Sequence, residues 1–170
     1  MTGKTEKVKL KKFIREIQDF PKEGILYRDI QPLLEDPKAF EKAVYKMLRQ
    51  IDLEKVDYFV GIESRGFIFA TAMAWVADVG VKLIRKEGKL PNTHTPLHRV
   101  EYDLEYGSAA IEMEGGKGKV VIVDDVLATG GTIQAARQLA TNAGYKVKDC
   151  ICLVDIGILK EHDIKCIISY

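Results

Sequence analysis

The chain has 170 residues, 46% apolar and 30% charged, with 26 basic against 25 acidic side chains and a formal net charge of +1. That is room for a single domain with a sizeable core. So even a charge balance argues against a dedicated nucleic-acid surface, and no apolar run is long enough to span a membrane. The lysine-rich N-terminus lacks the apolar stretch of a secretion signal, which points to a cytoplasmic protein. Cys150, Cys152 and Cys166 have neither zinc nor disulfide spacing and read as buried, reduced thiols, the first two sharing one strand face.

In chain order, Lys4–Ile17 places Val8, Leu10, Phe13, Ile14 and Ile17 at helical spacing, which predicts a surface helix with solvated lysines. Asp19–Pro37 (DFPKEGILYRDIQPLLEDP) is broken by Pro21, Gly24, Pro32 and Pro37, which excludes one long helix and predicts an apolar-rich loop. Asp36 has the chemistry of an N-cap and Pro37 that of a first helical residue, with Phe40–Ile51 supplying the helix. Val56–Ile62 reads as a strand, Glu63–Phe67 (ESRGF) as a turn and Ile68–Ala77 as an apolar helix. A strand, turn and helix N-terminus with an arginine at the turn form an anion site. The plainer alternative pairs Arg65 with Glu63 at the surface.

Val79–Ile84 predicts a third strand. Arg85-Lys86-Glu87-Gly88-Lys89-Leu90-Pro91 follows, with three cations within five residues, a density suited to a polyanion. Asn92–Gly107 is long, polar and carries His94 and His98, which fits a functional lid. Pro96 between the two histidines argues against a helical metal chelate. Ser108–Met113 predicts a strand pairing with the Tyr102–Gly107 side.

The most informative stretch is Val120–Thr132, VVIVDDVLATGGT. Val120–Val123 is apolar and mostly β-branched, the composition of a strand buried on both faces, and is expected to end at Asp124 and Asp125. Ala128–Thr132 then turns into a helix-patterned segment, Ile133–Ala143. Free backbone N–H groups, the helix dipole, close approach at the glycines and two threonine hydroxyls all favour a bound phosphate there. It is neither a Walker loop nor a dinucleotide fingerprint. Gly144 suits the position after a helix C-cap, and Lys146–Ile156 and Ile164–Ser169 predict two more strands. The alternation of strands and helices gives an α/β class with a mainly parallel sheet.

Five motifs also carry a family resemblance. VVIVDDVLATGGT resembles the 5-phosphoribosyl-1-pyrophosphate (PRPP) motif of type I phosphoribosyltransferases. FPKEGILYRDIQPLL resembles the N-terminal hood of adenine phosphoribosyltransferases. GIESRGF, RKEGKLP and YDLEYG match that family's pyrophosphate loop, basic loop and lid. The resemblance implies one domain over 1–170, a twisted, mainly parallel central sheet flanked by helices, a hood at about 18–36 and a lid at about 91–107. It implies transfer of the phosphoribosyl group of PRPP to adenine, giving AMP and pyrophosphate in purine salvage.

The residue roles below are carried by the resemblance alone. Asp124 and Asp125 would hold the ribose hydroxyls, and Ala128, Thr129, Gly130, Gly131 and Thr132 would cradle the 5′-phosphate. Ser64, Arg65, Arg85, Lys86 and Lys89 would meet the pyrophosphate. Tyr102 belongs to the lid, with Glu105 as acid–base. Tyr27 would stack on the purine, Leu26, Val126 and Ile156 would fill the apolar slot, and the main chain at Arg28 would read the adenine edge. Mg²⁺ would be held mainly by substrate oxygens and water rather than by a protein cage. A homodimer is implied because the family's basic loop crosses to a neighbour, and neither nucleic acid nor membrane is an expected partner. Tyr27 in place of phenylalanine, a histidine-bearing lid and the tail GILKEHDIKCIISY, without the family's G-G-R-x-K-L, depart from the pattern. They leave open a 6-oxopurine substrate (hypoxanthine, guanine or xanthine). A non-catalytic PRPP or nucleotide sensor is the other alternative, against which the lid glutamate and the lack of spare length both count.

Overall fold

Proline and glycine placement divides the N-terminal region into short elements. A computed structural model describes residues 9–54, 56–91, 94–104 and 107–170. They fall into two units, the first ending at Tyr45 and the second running Lys46–Tyr170. In the first, a 3₁₀ turn at Leu10–Phe13 leads to β1 (Arg15–Gln18), which pairs antiparallel with β2 (Leu26–Asp29). The helix expected over Lys4–Ile17 is therefore corrected from Leu10 onward; Lys4–Val8 lie outside the described residues. A short basic segment gains little as an isolated helix, whereas a second strand satisfies its backbone groups. Ion pairs Arg15–Asp29 and Glu16–Arg28 join the two strands. Their connection holds Asp19 and Gly24 in the left-handed region (φ 58° and 84°), with the Gly24 N–H donating to Asp19 Oδ1 at 2.7 Å.

The loop expected over Asp19–Pro37 thus contains β2 and a short helix, α1 (Gln31–Glu35). Next, α2 (Pro37–Leu48) starts where the sequence placed it: the Ala39 N–H donates to Asp36 Oδ1 at 2.8 Å, the N-cap bond.

The second unit contains β3 (Tyr58–Ile62), α3 (Gly66–Ala77), β4 (Gly80–Lys86), β5 (Leu97–Leu104), β6 (Gly107–Glu114), β7 (Gly118–Leu127), α4 (Gly131–Asn142), β8 (Tyr145–Asp155) and β9 (Lys165–Ser169). Its seven-stranded sheet has the order β5-β6-β4-β3-β7-β8-β9. The run from β4 to β9 is parallel, and β5 and β6 are antiparallel at one edge. Val120–Val123 occupy the centre with no solvent exposure, as their composition predicts. The strand does not end at the acidic pair, however. It runs on to Leu127 because Val126 and Leu127 continue the ladder opposite Val154 and Asp155 of β8.

The second half of the long polar segment is also a strand. In β5, His98, Val100 and Tyr102 turn inward while Arg99, Glu101 and Asp103 face solvent, a period of two. Its pairing with β6 puts Tyr102 opposite Ala109, as expected of the YDLEYG side. Cys150 and Cys152 are buried in the cluster between the sheet and α4. Gly144 closes α4 at φ 95°. Parallel strands and the helices that follow them leave the C-terminal ends of β3, β4, β7 and β8 at one edge of the layer, where α/β proteins bind ligands.

Candidate active site

The centre of the site is the end of β7. Asp125 is 3% exposed, and its N–H donates to Asp124 Oδ1 at 2.9 Å. Burial pushes both carboxyls up from their ordinary range. The charge of Asp125 pushes Asp124 further, while Arg65 pulls Asp125 back. Arg65 Nε lies 2.8 Å from Asp125 Oδ2. Beyond the pair, Gly130 takes φ 83° and α4 opens at Gly131. A recess of about 60 Å³ is lined by Val126, Ala128, Thr129, Gly130 and Thr132. A turn thus stands where the sequence predicts one, with Leu159 lying close enough to Gly130 that an added Cβ would sit 3.1 Å from its Cδ2.

A second turn meets the first. Gly66 begins α3 so close to β7 that a Cβ there would lie 2.6 Å from the Val123 carbonyl oxygen and 3.1 Å from Asp124 Oδ1. Glycine is required by that approach, and it is what brings Arg65 beside the acidic pair. Ser64 is exposed next to it.

The basic loop after β4 is organised by two acids that motif reading did not assign. Glu63 Oε2 accepts Arg85 Nε and the Lys86 N–H, both at 2.9 Å, and the arginine bond holds its carboxyl below the ordinary range. Glu112, 7% exposed on β6, accepts the Lys89 and Leu90 N–H groups on Oε1 at 3.0 and 2.8 Å. A glutamate set between Ile111 and Met113 in an apolar strand was the available signal. The side chains of Lys86 and Lys89 are exposed, and the Arg85 guanidinium lies 5.8 Å from the Phe67 ring centroid. Arg65 thus pairs with Asp125 and Glu63 with Arg85, rather than as the local surface pair first considered.

The remaining predicted residues divide between the units. Leu26, Tyr27 and Arg28 form β2 in the first, where the Tyr27 ring packs edge-on against Phe20 at 5.0 Å between centroids. Val126 and Ile156 both belong to the second, where the Ile156 N–H donates to the carbonyl of Leu127, the neighbour of Val126, at 3.1 Å. Tyr102 packs against the core, and the next carbonyl, of Asp103, lies 3.5 Å from a Cβ built on Gly131, so β5 approaches the head of α4. Glu105 lies outside the described residues. His98 packs over Gly115, with Nε2 3.0 Å from a Cβ built there, which gives it a structural place; His94 is exposed. The atypical tail is anchored by His162 Nε2 to Asp155 Oδ2 at 3.4 Å and by a two-pronged Arg137–Asp163 pair at 2.9 Å. Among the described residues, no group of three or more His, Cys, Asp or Glu could hold a metal ion, and no helix is long and apolar enough to cross a membrane.

The model of the phosphoribosyl transferase domain matches residues 33–170. An adenine phosphoribosyltransferase of Bdellovibrio bacteriovorus is 51% identical over 89% of this chain and 90% of its own length. That of Hydrogenovibrio crunogenus is 48% identical over 91% and 90%. The crystal structure of the Thermoanaerobacter pseudethanolicus adenine phosphoribosyltransferase superposes with a TM-score of 0.85 at 38% identity, covering 95% of this chain and 98% of that one. The Saccharomyces cerevisiae enzyme, solved with an imino-altritol bisphosphate and adenine, gives 0.81 at 32% identity over 92% and 94%. An acidic pair on the central strand, two turns that meet at it and likeness over nearly the whole length lead to one conclusion: this chain belongs to the phosphoribosyltransferase family, among its adenine phosphoribosyltransferases.

Proposed function

We infer that the chain transfers the phosphoribosyl group of PRPP to adenine, releasing pyrophosphate and forming AMP, in purine salvage. The observation that carries the reading is the 2.8 Å contact between Arg65 and Asp125. It joins a ribose-type acidic pair to a pyrophosphate-type turn, the two ends of one substrate. The yeast relative, solved with adenine and a bisphosphate, supports the same pair of ligands.

Glycosyl transfer passes through an oxocarbenium-like state, so the site must stabilise a departing polyanion beside a cationic sugar. Arg65, Arg85, Lys86, Lys89 and the Ser64 main chain would take the pyrophosphate, Arg65 leaving Asp125 to do so. Asp124 and Asp125 would then hold the ribose hydroxyls and leave negative charge near the developing cation. Ala128–Thr132 would bind the 5′-phosphate. In the direction of AMP breakdown, Glu105 would donate a proton to the leaving base. The lid at about 91–107, with Tyr102, would close over the site and exclude water. Mg²⁺, a hard cation, would take its ligands mainly from substrate oxygens and water, since Asp124 and Asp125 are engaged with Arg65 and the Asp125 N–H. When bound it would neutralise the leaving group.

Base choice falls to the hood at about 18–36. Tyr27 would stack on the purine beside Leu26. At Arg28 the main-chain N–H would donate to adenine N1 and the carbonyl would accept from the 6-amine. Hypoxanthine presents the reverse at both positions, which costs roughly 2–6 kcal/mol for two unmatched buried groups.

A homodimer and a cytoplasmic location belong to the same reading. The dimer is supported by α3, which is apolar on all sides: Trp75 is 84% exposed and Ile68 38%, beside Leu83 of β4 at 38%. The test offers adenine, hypoxanthine, guanine and xanthine separately with PRPP and Mg²⁺, following nucleotide and pyrophosphate. AMP formation faster by orders of magnitude supports the reading. Preference for a 6-oxopurine overturns the hood assignment, and PRPP binding without turnover on any base overturns the enzyme.

A further inference from the structure

Two of the three cysteines are direct neighbours at an edge of the sheet. β8 and β9 run parallel with Cys152 opposite Cys166. Paired residues on adjacent strands project to the same face, and a strand spacing of about 4.8 Å lies within the Cα separation that a disulfide bridges. The two side chains stand at paired positions of the ladder, and the Cys166 thiol donates to the Ile164 carbonyl at 3.9 Å. Cys152 is fully buried, but Cys166 is only half-buried, so one member of the pair is open to a reagent.

Their contact also divides the labour. It holds the Cys166 thiol below its ordinary range, whereas the same contact and burial push Cys152 well up. Cys150 is placed differently. It lies outside the β8–β9 ladder, and its sulfur faces Arg137 Nη2 at 3.5 Å.

We propose that Cys152 and Cys166 are a reversible redox modification site, forming an intramolecular disulfide with glutathione disulfide as oxidant. The Cys166 thiolate attacks one sulfur of glutathione disulfide; a mixed disulfide forms and one glutathione thiolate leaves. The Cys152 sulfur then attacks Cys166, the mixed disulfide breaks and the second glutathione thiolate departs. The protons lost by the two cysteines end on the two glutathiones, so two thiols are oxidised and one disulfide is reduced. The bond would tie β9, an edge strand held to the sheet by β8 alone, and close the segment between them, whose Leu159 lies against Gly130.

The experiment treats the reduced full chain with glutathione disulfide, blocks remaining thiols with iodoacetamide and reads intact mass and tryptic peptides. The expected result is loss of two of the three thiols, a mass lower by two hydrogens before alkylation, a Cys152–Cys166 linked peptide and full recovery with dithiothreitol. Cys150→Ser should still lose two thiols, and Cys166→Ser should form no intramolecular bond. Three surviving thiols, a glutathione adduct on Cys166 that does not resolve, or a bridge that includes Cys150 overturns the proposal. None of these readouts depends on the transferase activity.

Discussion

At the scale of residues, the acidic pair sets function against stability. An acid whose pKa is raised on folding holds its proton more tightly in the folded state. Its contribution to stability is then present below the unfolded value and lost as pH rises through the raised one. Both Asp124 and Asp125 are of this kind, so at neutral pH the fold carries a cost there. Asp124→Asn should melt higher than the parent at neutral pH, with the gap closing as pH falls towards the ordinary carboxylate range, read from thermal melts across pH. On the proposed role, the same variant loses about 100-fold or more in kcat/KM. Glu112→Ala should act in the opposite sense. It strips the Lys89 and Leu90 N–H groups of their acceptor, at about 1 kcal/mol each, and loosens the Lys89 loop. A lower melting temperature with a raised KM for PRPP and an unchanged KM for adenine is the expected pattern.

At the scale of elements, close approach matters more than helix propensity. Gly66→Ala forces a Cβ to within 2.6 Å of a backbone oxygen that cannot step aside. It should cost about 2–3 kcal/mol and displace Arg65, seen as a lower denaturation midpoint together with lost PRPP binding. Asp36→Ala removes only the N-cap of α2 and should cost about 1 kcal/mol in the same assay. The two also mark what can be read without coordinates. The cap of α2, the buried strand Val120–Val123 and the glycine turn are local chemistry and were legible in order. The strand β1 was not, because its partner, β2, lies beyond a loop with two left-handed residues. Nor was the extension of β7 to Leu127, which depends on the ladder with β8. Glu63 and Glu112 escaped for a related reason: each reaches a backbone segment more than twenty residues away.

At the scale of the molecule, the apolar surface of α3 sets the expectation of self-association. Trp75→Lys places a charge on its most exposed apolar residue and should shift the sedimenting species from dimer to monomer while leaving the circular-dichroism melt cooperative. On the proposed crossing of the basic loop, turnover falls with the dimer fraction. One earlier contact has a consequence for selectivity. With Arg65 seated on Asp125, the two opposite charges offset each other. On the proposed roles, a bare phosphate or pyrophosphate would draw the arginine away at the cost of the charged partner of Asp125, and a bare sugar offers the arginine nothing. On those roles, a molecule that brings a polyanion and a diol together gives both Arg65 and Asp125 a new partner at once, so the pair would favour the joined ligand over either half.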